Sequence, residues 1–332
     1  MNAMKLPRRT FLHLAAGAAA LPAVSRVARA QAYPSRPITM IVPFAAGGPS
    51  DTIARILAEN MRRFLGQPLV IENVVGAGGS IGTARVVRSI PDGYTIGIGN
   101  WGTHVANGVI YSLQFDLRKD FAPVAMLPSE PLMIAVKKTM PANSLKELIA
   151  WLKANPNKAS SATSGIGGPS HVAGILFEKE TGTQLQLVPY RGAGPAMQDL
   201  VAGQVDMMIS GPSIALPQMR NNNIKILAIA AEARSPSSPD IPTVDEAGLP
   251  GFYVSVWQGL WAPKDTPHEI IAKLNSGVRQ ALADPVVRKR YTDLALELPS
   301  AEQQTPEALG AYQKAEIEKW WPIIKAANIK AE

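Results

Sequence analysis

Cysteine is absent from the 332-residue sequence, and histidine occurs only four times. Without cysteine the chain can form neither disulfides nor thiolate metal sites, and the redox compartment cannot be inferred from this residue type. Four histidines, of which His13 lies near the amino terminus, are too few for a histidine-rich metal centre. We therefore expect neither a metal nor another cofactor.

A large excess of basic charge is also missing once the first 30 residues are set aside. The formal charge is +7, but residues 1–30 carry five of the 33 basic residues and no acidic one. The remaining 28 basic and 26 acidic residues give a net charge of +2, too small for a nucleic-acid-binding surface. No later stretch approaches the ~18 consecutive apolar residues of a membrane-spanning helix. The sequence therefore predicts neither a nucleic-acid partner nor a membrane anchor.

Residues 1–32 have the composition of a bacterial export signal. Arg8-Arg9 precedes an apolar, alanine-rich run from Leu14 to Val24, and small-x-small cleavage sites follow at Ala28–Ala30 and Ala30–Ala32. The paired arginines favour the twin-arginine route. An ordinary Sec signal is the alternative, since Pro7 stands where serine or threonine is usual. Either route predicts a free periplasmic protein.

Two nearly identical turns, 120 residues apart, dominate the rest of the sequence. They are Gly47-Gly48-Pro49-Ser50-Asp51 and Gly167-Gly168-Pro169-Ser170-His171, and each lies between a candidate strand and a helical pattern. Proline suits the first helical position, and glycine leaves the backbone N–H groups uncovered. A helix start of this kind favours an anion through its free N–H donors and its partial positive charge. Two of them suggest two lobes that share one anionic ligand.

The alternation of strand and helix patterns predicts the fold class. Segments such as 38–42, 69–74 and 94–98 resemble strands and are separated by amphipathic helical patterns. This alternation is typical of an α/β protein with mostly parallel sheets flanked by helices. We expect a first lobe of residues 33–128 and 252–332 and a second lobe of residues 129–251.

Each candidate contact also has a purely structural interpretation. The two turns can be tight strand-to-helix connections without a ligand, although the similar loop Gly192–Pro195 favours an anion cleft. Asp51 either complements its own helix dipole or orients the ligand. His171 is either a hydrogen-bonded helix residue or a donor to a carboxylate. Asp206 either reaches the cleft from beneath or is a turn residue.

Gly78-Gly79-Ser80-Ile81-Gly82 raises one enzymatic alternative. It matches the G-x-S-x-G pattern of a serine esterase, which would use Ser80 as nucleophile and would need a histidine such as His268 nearby. The glycine-rich stretches do not fit a dinucleotide-binding motif, because Ile81 and Ser170 stand where that motif requires glycine. We prefer a binding protein without enzymatic activity and keep the esterase as the alternative.

The motifs of residues 33–330 resemble those of the periplasmic substrate-binding proteins of tripartite tricarboxylate transporters, the Bug family. The resemblance rests on a set of short stretches in a specific order: 33–38, 47–55, 72–79, 91–95, 120–124, 162–165, 189–192, 203–206 and 259–263. It implies a two-lobed, type II Venus-flytrap fold, a small carboxylate held in the cleft, and delivery to membrane transporter subunits. We expect the protein to act as a monomer.

The resemblance also implies which residues surround the ligand. They lie in the loops of both lobes: Phe44, Ala46, Gly47, Gly48, Ser50, Asp51, Trp101, Thr103, Thr163, Ser164, Gly168, Ser170, His171, Tyr190, Gly192 and Asp206. Residues 100–103 depart from the family pattern, which has small hydroxyl residues there, so Trp101 is expected to alter or cap the pocket. No arginine is placed as an obvious counter-ion.

Overall fold

The structure, a computed structural model, describes residues 33–326 and residue 330. The predicted export signal, residues 1–32, lies outside the described residues. The strands are β1 (Ile38–Val42), β2 (Leu69–Asn73), β3 (Thr95–Asn100), β4 (Phe121–Pro131), β5 (Met133–Lys137), β6 (Ser160–Thr163), β7 (Gln186–Pro189), β8 (Met207–Ser210), β9 (Ile224–Ile229) and β10 (Ser255–Pro263).

The described residues also form ten α-helices. They are α1 (Pro49–Leu65), α2 (Ser80–Val87), α3 (Asn107–Ile110), α4 (Leu145–Ala154), α5 (Pro169–Thr181), α6 (Ala193–Val201), α7 (Pro212–Arg220), α8 (His268–Ala283), α9 (Pro285–Asp293) and α10 (Pro306–Ala326). A short π-helical turn, Gly102–Ala106, precedes α3. Within the described residues, no helix combines the length and the apolarity that crossing a membrane requires.

The strands form two five-stranded sheets, one in each lobe. The first has the order β2-β1-β3-β10-β4 and the second β7-β6-β8-β5-β9. Each sheet is mixed, with four of its five strands running in one direction: β1 pairs in parallel with β2 and β3, whereas β10 is antiparallel to β3 and β4. The second sheet repeats this arrangement, with β5 antiparallel to β8 and β9. The antiparallel strands β5 and β10 are those by which the chain enters a new lobe.

The chain passes between the sheets twice. The first crossing lies between Pro131 and Met133, and the second between Ile229 and Ser255. Backbone hydrogen bonds from the amide of Leu132 to the carbonyl of Val254 and from the amide of Ala230 to the carbonyl of Leu132 tie the two segments together. Such paired crossings form a natural hinge. The predicted lobe boundaries fall beside them and stay a prediction.

Strand β4 is longer than its prolines suggest. The sequence favours strands at 124–127 and 132–136, separated by Pro128 and Pro131. The second corresponds to β5, whereas β4 runs without a break through Pro128. Its pairing with β10 shifts register between Val256 and Gln258, opposite Pro128. Because a bulge frees a backbone position from the hydrogen-bond ladder, proline is tolerated there.

Helix α1 shows how the local sequence fixes the elements around the cleft. Gly48 is the residue before the helix and Pro49 its first residue, where the missing proline N–H costs nothing. The helix ends at Gly66, whose φ of 72° is left-handed and favours glycine. Its apolar face, including Ile53, Ile56 and Leu57, is buried, so packing holds the helix start in place.

Candidate functional site

Three helix starts of the same sequence open onto one cavity between the two sheets. Helices α1, α5 and α7 each begin with glycine, proline and serine, and Gly48, Gly168 and Gly211 are the residues before the helices. Residues of all three starts line this cavity, which we call the inner cavity. The shared hollow beside Pro49 and Pro169 that the repeated turns predict is therefore present. The third start also belongs to it.

The inner cavity is small and contains one ionisable side chain. Its volume is about 40 Å³, enough for about three water-sized groups and hence for one carboxylate. Its walls combine small, polar and apolar residues: Phe44, Gly48, Pro49, Ser50, Asn100, Glu130, Leu132, Ser164, Pro169, Ser170, Ala193, Ile209, Ser210, Gly211 and Val256. No lysine or arginine is among them, so an anion there is stabilised by helix dipoles and hydrogen-bond donors.

A larger cavity of about 600 Å³ adjoins the inner one and shares Phe44 and Ser164 with it. We call it the outer cavity. Residues of the glycine-rich loop 76–79 and of the loop after β7, including Tyr190 and Arg191, line its walls. The outer cavity therefore has the room that the inner cavity lacks for the remainder of a ligand, and it places one arginine at the wall.

Four of the predicted ligand residues form a compact polar group at the inner cavity. Ser50, Ser164 and Ser170 line it together with Gly48. The amide of Ser164 donates to Oγ of Ser170 at 2.6 Å, and that hydroxyl donates to Oγ of Ser164 at 2.9 Å. These bonds fix both hydroxyl groups beside the start of α5.

Asp51 holds the first turn together and does not line either cavity. Its carboxylate accepts hydrogen bonds from the Gly47 amide at 2.9 Å, from Arg55 at 2.8 Å and from Asn73 at 3.0 Å. Burial alone would raise its pKa, but these hydrogen bonds outweigh burial and hold the pKa below its ordinary value. The geometry thus matches the structural interpretation of Asp51, in which it orders the loop from Phe44 to Gly48.

Trp101 and Thr103 lie behind the cavity wall, and Asn100 takes the place at the wall. Thr103 is buried, and its hydroxyl accepts a hydrogen bond from the Asn100 amide at 3.0 Å. Trp101 packs edge-on against Trp320, with 5.0 Å between the ring centres. Trp101 therefore lines neither the inner nor the outer cavity, and its capping of a ligand stays a prediction.

Thr163, Gly168 and His171 support the second turn and do not line the inner cavity. Thr163 is fully buried at the end of β6. Nδ1 of His171 accepts a hydrogen bond from the Gly167 amide at 3.3 Å, and burial lowers the pKa of this histidine. A neutral, hydrogen-bonded His171 matches the structural interpretation and not that of a cationic donor.

The loops that carry Ala46 and Gly192 meet across the cleft. A Cβ atom built on Gly192 would lie 3.1 Å from the amide nitrogen of Ala45, and one built on Gly194 would lie 2.9 Å from the carbonyl oxygen of Ala46. Ala46 and Gly47 themselves are exposed. These residues thus form the contact between the lobes at the rim of the cleft.

Tyr190 and Asp206 occupy opposite ends of the second sheet. The hydroxyl of Tyr190 donates to Asp199 at 2.6 Å, and burial together with this carboxylate raises its pKa to about 12. Asp206 binds Lys137 at 2.6 Å and the amide of Ser160 at 2.8 Å. Ser160 is the first residue of β6, whereas the cleft follows its last residue. Asp206 therefore does not reach the cleft from beneath, because it lies at the end of the second sheet that is away from the cleft.

The inner cavity is also lined by residues that the motifs do not indicate, among them Asn100, Glu130, Ser210 and Gly211. A signal for Gly211 was available, because Gly211-Pro212-Ser213 repeats the glycine-proline-serine pattern of the other two starts. Glu130 had a weaker signal: it is the only acidic residue between Asp120 and Glu147.

Glu130 is an unusual residue for an anion site. It is 2% exposed, and Oε2 accepts a hydrogen bond from the Ser213 hydroxyl at 3.0 Å. Burial raises its pKa to about 8, although hydrogen bonds from the hydroxyl and the amide of Ser213 oppose this shift. At neutral pH Glu130 is therefore protonated in most of the protein molecules.

The geometry at Ser80 is not that of a nucleophile elbow. Its hydroxyl accepts a hydrogen bond from Asn107 at 3.0 Å, and its φ of −63° and ψ of −29° are those of an ordinary helix start. A nucleophile elbow instead places serine on a strained turn beside a histidine. Among the described residues, no group of three or more histidine, cysteine, aspartate or glutamate side chains is arranged to hold a metal ion.

Several proteins of known structure are similar to this chain in both sequence and fold. Residues 53–329 match the model of the tripartite tricarboxylate transporter family receptor. The periplasmic binding protein BugD is 39% identical, with a TM-score of 0.86 over 90% of this chain and 100% of its own. MatC from Rhodopseudomonas palustris, solved with bound malate, is 41% identical, with a TM-score of 0.84 over 88% of this chain and 100% of its own.

A second R. palustris protein, solved with adipate, is 31% identical, with a TM-score of 0.86 over 90% of this chain and 100% of its own. The predicted two-lobed α/β binding-protein fold is thereby confirmed, and nothing in these similarities favours the esterase alternative. The family match extends over most of the chain. The chain therefore belongs to the tripartite tricarboxylate transporter receptor family of Bug-type binding proteins, as its motifs predicted.

Proposed function

We propose that this protein captures a small dicarboxylate in the periplasm and presents it to a tripartite tricarboxylate-type membrane transporter, without altering it chemically. The observation that carries the proposal is the convergence of three helix N-termini on the inner cavity, at Gly48, Gly168 and Gly211. The malate and adipate bound by similar proteins support this ligand class. Periplasmic location is supported by BugD and by the predicted export signal.

Binding proceeds in two steps, in which the ligand first contacts the first lobe and the second lobe then closes over it. One ligand carboxylate occupies the inner cavity against the start of α1, and the rest of the ligand extends into the outer cavity past Phe44. The second lobe then brings the starts of α5 and α7 against the same carboxylate. A ligand closes the lobes only by binding the closed state more tightly than the open one. The closed monomer is the form that the transporter recognises.

Calorimetry with malate, succinate and adipate tests the proposed function, and Gly48→Val tests the site. The φ of −83° and ψ of 173° at Gly48 suit any residue, and a Cβ there would lie 3.4 Å from the nearest atom, the carbonyl oxygen of Ala45. The larger valine side chain should fill the inner cavity and abolish binding in a folded protein.

Gly48→Ala is the matched control, because its single added carbon fits and measurable binding should remain. Unchanged affinity in Gly48→Val would contradict the assignment of the carboxylate to this cavity. Failure of the unmodified protein to bind any of the three dicarboxylates at millimolar concentration would contradict the proposed ligand class.

A further inference from the structure

The inner cavity contains an acidic residue where an anion is expected to bind. Glu130 lies near the end of β4, beside the first crossing between the lobes, and its carboxyl group rests against the start of α7. A Cβ built on Gly211 would lie 1.9 Å from Oε2 of Glu130, so the absence of a side chain at this position makes room for the carboxyl group.

Among the described residues that line the inner cavity, none brings a positive charge to this carboxyl group. Glu130 is the only ionisable residue in the wall of the inner cavity. The elements packed against it contribute uncharged residues: Gly211 and Ser213 from α7 and Val256, its partner on β10. An ionised carboxylate buried without a cation is costly, and the group avoids this cost by keeping its proton.

A second polar group in the same wall is buried without a partner. Oγ of Ser210 has no hydrogen-bond partner among the described residues, although Ser210 is only 3% exposed and lines the cavity. Buried polar groups in folded proteins nearly always have partners. The Ser210 hydroxyl therefore points to a ligand atom that occupies the cavity beside Glu130.

We propose that Glu130 is the specificity-determining residue of the inner cavity, where its carboxylic-acid O–H donates a hydrogen bond to the ligand carboxylate. This inference rests on the proposed function and deepens it. The ligand's bound end is then a carboxylate without an adjacent ammonium group. Carboxyl group and carboxylate share one proton, and Ser210 adds a second donor from the same side.

The alternative partner for Glu130 is an ammonium group, as in an amino acid. Three helix starts, each with a partial positive charge, face the cavity and repel a cation there. An ammonium group also needs several acceptors, whereas the free backbone N–H groups at the three helix starts can only donate. The carboxyl group of Glu130 already accepts hydrogen bonds from Ser213, one from its hydroxyl to Oε2 and one from its amide. The surroundings thus favour an anion and a protonated Glu130.

Succinate, malate and aspartate are the matched probes, because all three are four-carbon dicarboxylates and aspartate alone carries an ammonium group. Their affinities for the wild-type protein, Glu130→Gln and Glu130→Leu are to be measured by calorimetry at pH 7 and pH 9. Glu297→Gln is the control, since Glu297 is exposed and pairs with Ser129, the residue before Glu130.

We expect the wild-type protein to prefer succinate or malate to aspartate. Its affinity should fall by about tenfold between pH 7 and pH 9, as Glu130 loses its proton. Glu130→Gln retains an N–H donor, so its affinity should stay within about threefold at pH 7 and no longer vary with pH. Glu130→Leu removes the donor and should lose affinity by about 10- to 100-fold, the usual worth of a hydrogen bond to a charged group.

Each other outcome contradicts the inference in its own way. A preference for aspartate that is lost in Glu130→Gln would make Glu130 an ion-pair partner. If the wild-type protein and Glu130→Leu bind the dicarboxylates with equal affinity, Glu130 only caps α7 and does not contact the ligand. If the wild-type protein binds none of the probes, the proposed function fails as well, which separates that result from the first two.

A ligand-free measurement keeps the test independent of folding defects in the leucine variant. An acid whose folded pKa is raised from 4.5 to about 8 makes the folded state bind more protons than the unfolded state between these values. Stability should therefore fall as pH rises from about 4.5 to 8, and Glu130→Gln should lack this component. If the free energy of unfolding in urea varies with pH in the same way for the wild-type protein and for Glu130→Gln, Glu130 is not protonated in the folded state.

Discussion

At the scale of single residues, the cleft is organised by side chains that bind the backbone of their own loops. Asp51 is the clearest example, because it lies next to the predicted anion site but uses its carboxylate on Gly47, Arg55 and Asn73. A negative charge this close to the cavity is neutralised locally. The helix start of α1 thus remains attractive to an external anion.

Asp51→Asn should destabilise the protein at neutral pH by about 1–3 kcal/mol, since the buried carboxylate loses charge-assisted hydrogen bonds. The exposed Arg55 adds little through its ion pair alone. Because the folded pKa of Asp51 is lowered, its contribution is present above the unfolded value of 3.8 and is lost as pH falls through the folded pKa.

Urea unfolding at pH 7 and pH 3 measures this contribution. The wild-type protein and Asp51→Asn should differ at pH 7 and converge at low pH. Asp293→Asn is the control, because Asp293 is exposed and pairs only with Lys289 among the ion pairs of the described residues. A difference of the same size at both pH values would show that Asp51 acts through packing and not through its charge.

At the scale of elements, the cleft depends on where three helices begin. In α1, α5 and α7 the glycine before the helix and the proline at its first position can be read from the sequence, because both residue types have strong local preferences. That Gly211 joins Gly48 and Pro169 at one cavity could not be read, since it depends on the order of strands in two sheets. The sequence also could not separate Asp206 from the cleft, because that separation depends on which end of β6 it contacts.

Helix α4 offers a test of an element that the sequence predicts well and that lies away from the cleft. Ser144 precedes the helix, and its hydroxyl accepts from the Glu147 amide at 3.2 Å. Ser144→Ala should cost about 1 kcal/mol of stability, the usual loss for an N-cap. Ligand affinity should not change.

Thermal unfolding and calorimetry with malate, carried out on the same samples, check both expectations. Ser144→Thr is the matched control, because it retains the capping hydroxyl and should stay near wild-type stability. A change in affinity upon Ser144→Ala would indicate that α4 is coupled to the cleft.

At the scale of the whole molecule, closure depends on contacts that join the lobes. The hydroxyl of Tyr111, which follows α3, donates to the carbonyl oxygen of Ile166 in the loop before α5. Residues of loop 192–194 also meet Ala45 and Ala46 across the cleft. These contacts belong to the closed state alone if the lobes separate at the hinge, so they stabilise the state that retains the ligand.

Tyr111→Phe should therefore weaken the closed state by about 0.5–1.5 kcal/mol, the net value of one hydrogen bond. We expect an affinity for dicarboxylates that is about 2- to 10-fold lower, with the change mainly in the dissociation rate. Stopped-flow fluorescence measures that rate. Tyr312→Phe, on α10, is the control and should leave it unchanged, whereas an unaltered rate in Tyr111→Phe would contradict the proposed role of this contact.

The sequence by itself determined the α/β class, the glycine-proline helix starts and the family, because these depend on local backbone preferences and on short motifs in a fixed order. Only the tertiary structure decided the strand order of the two sheets, the meeting of the helix start at Gly211 with the other two at one cavity, and the burial of Glu130 beside it. The physical reason is that strand order and burial arise from contacts between segments far apart in the chain. Glu130 and Ser213 are 83 residues apart, and only folding brings the carboxyl group to that helix start and removes it from water.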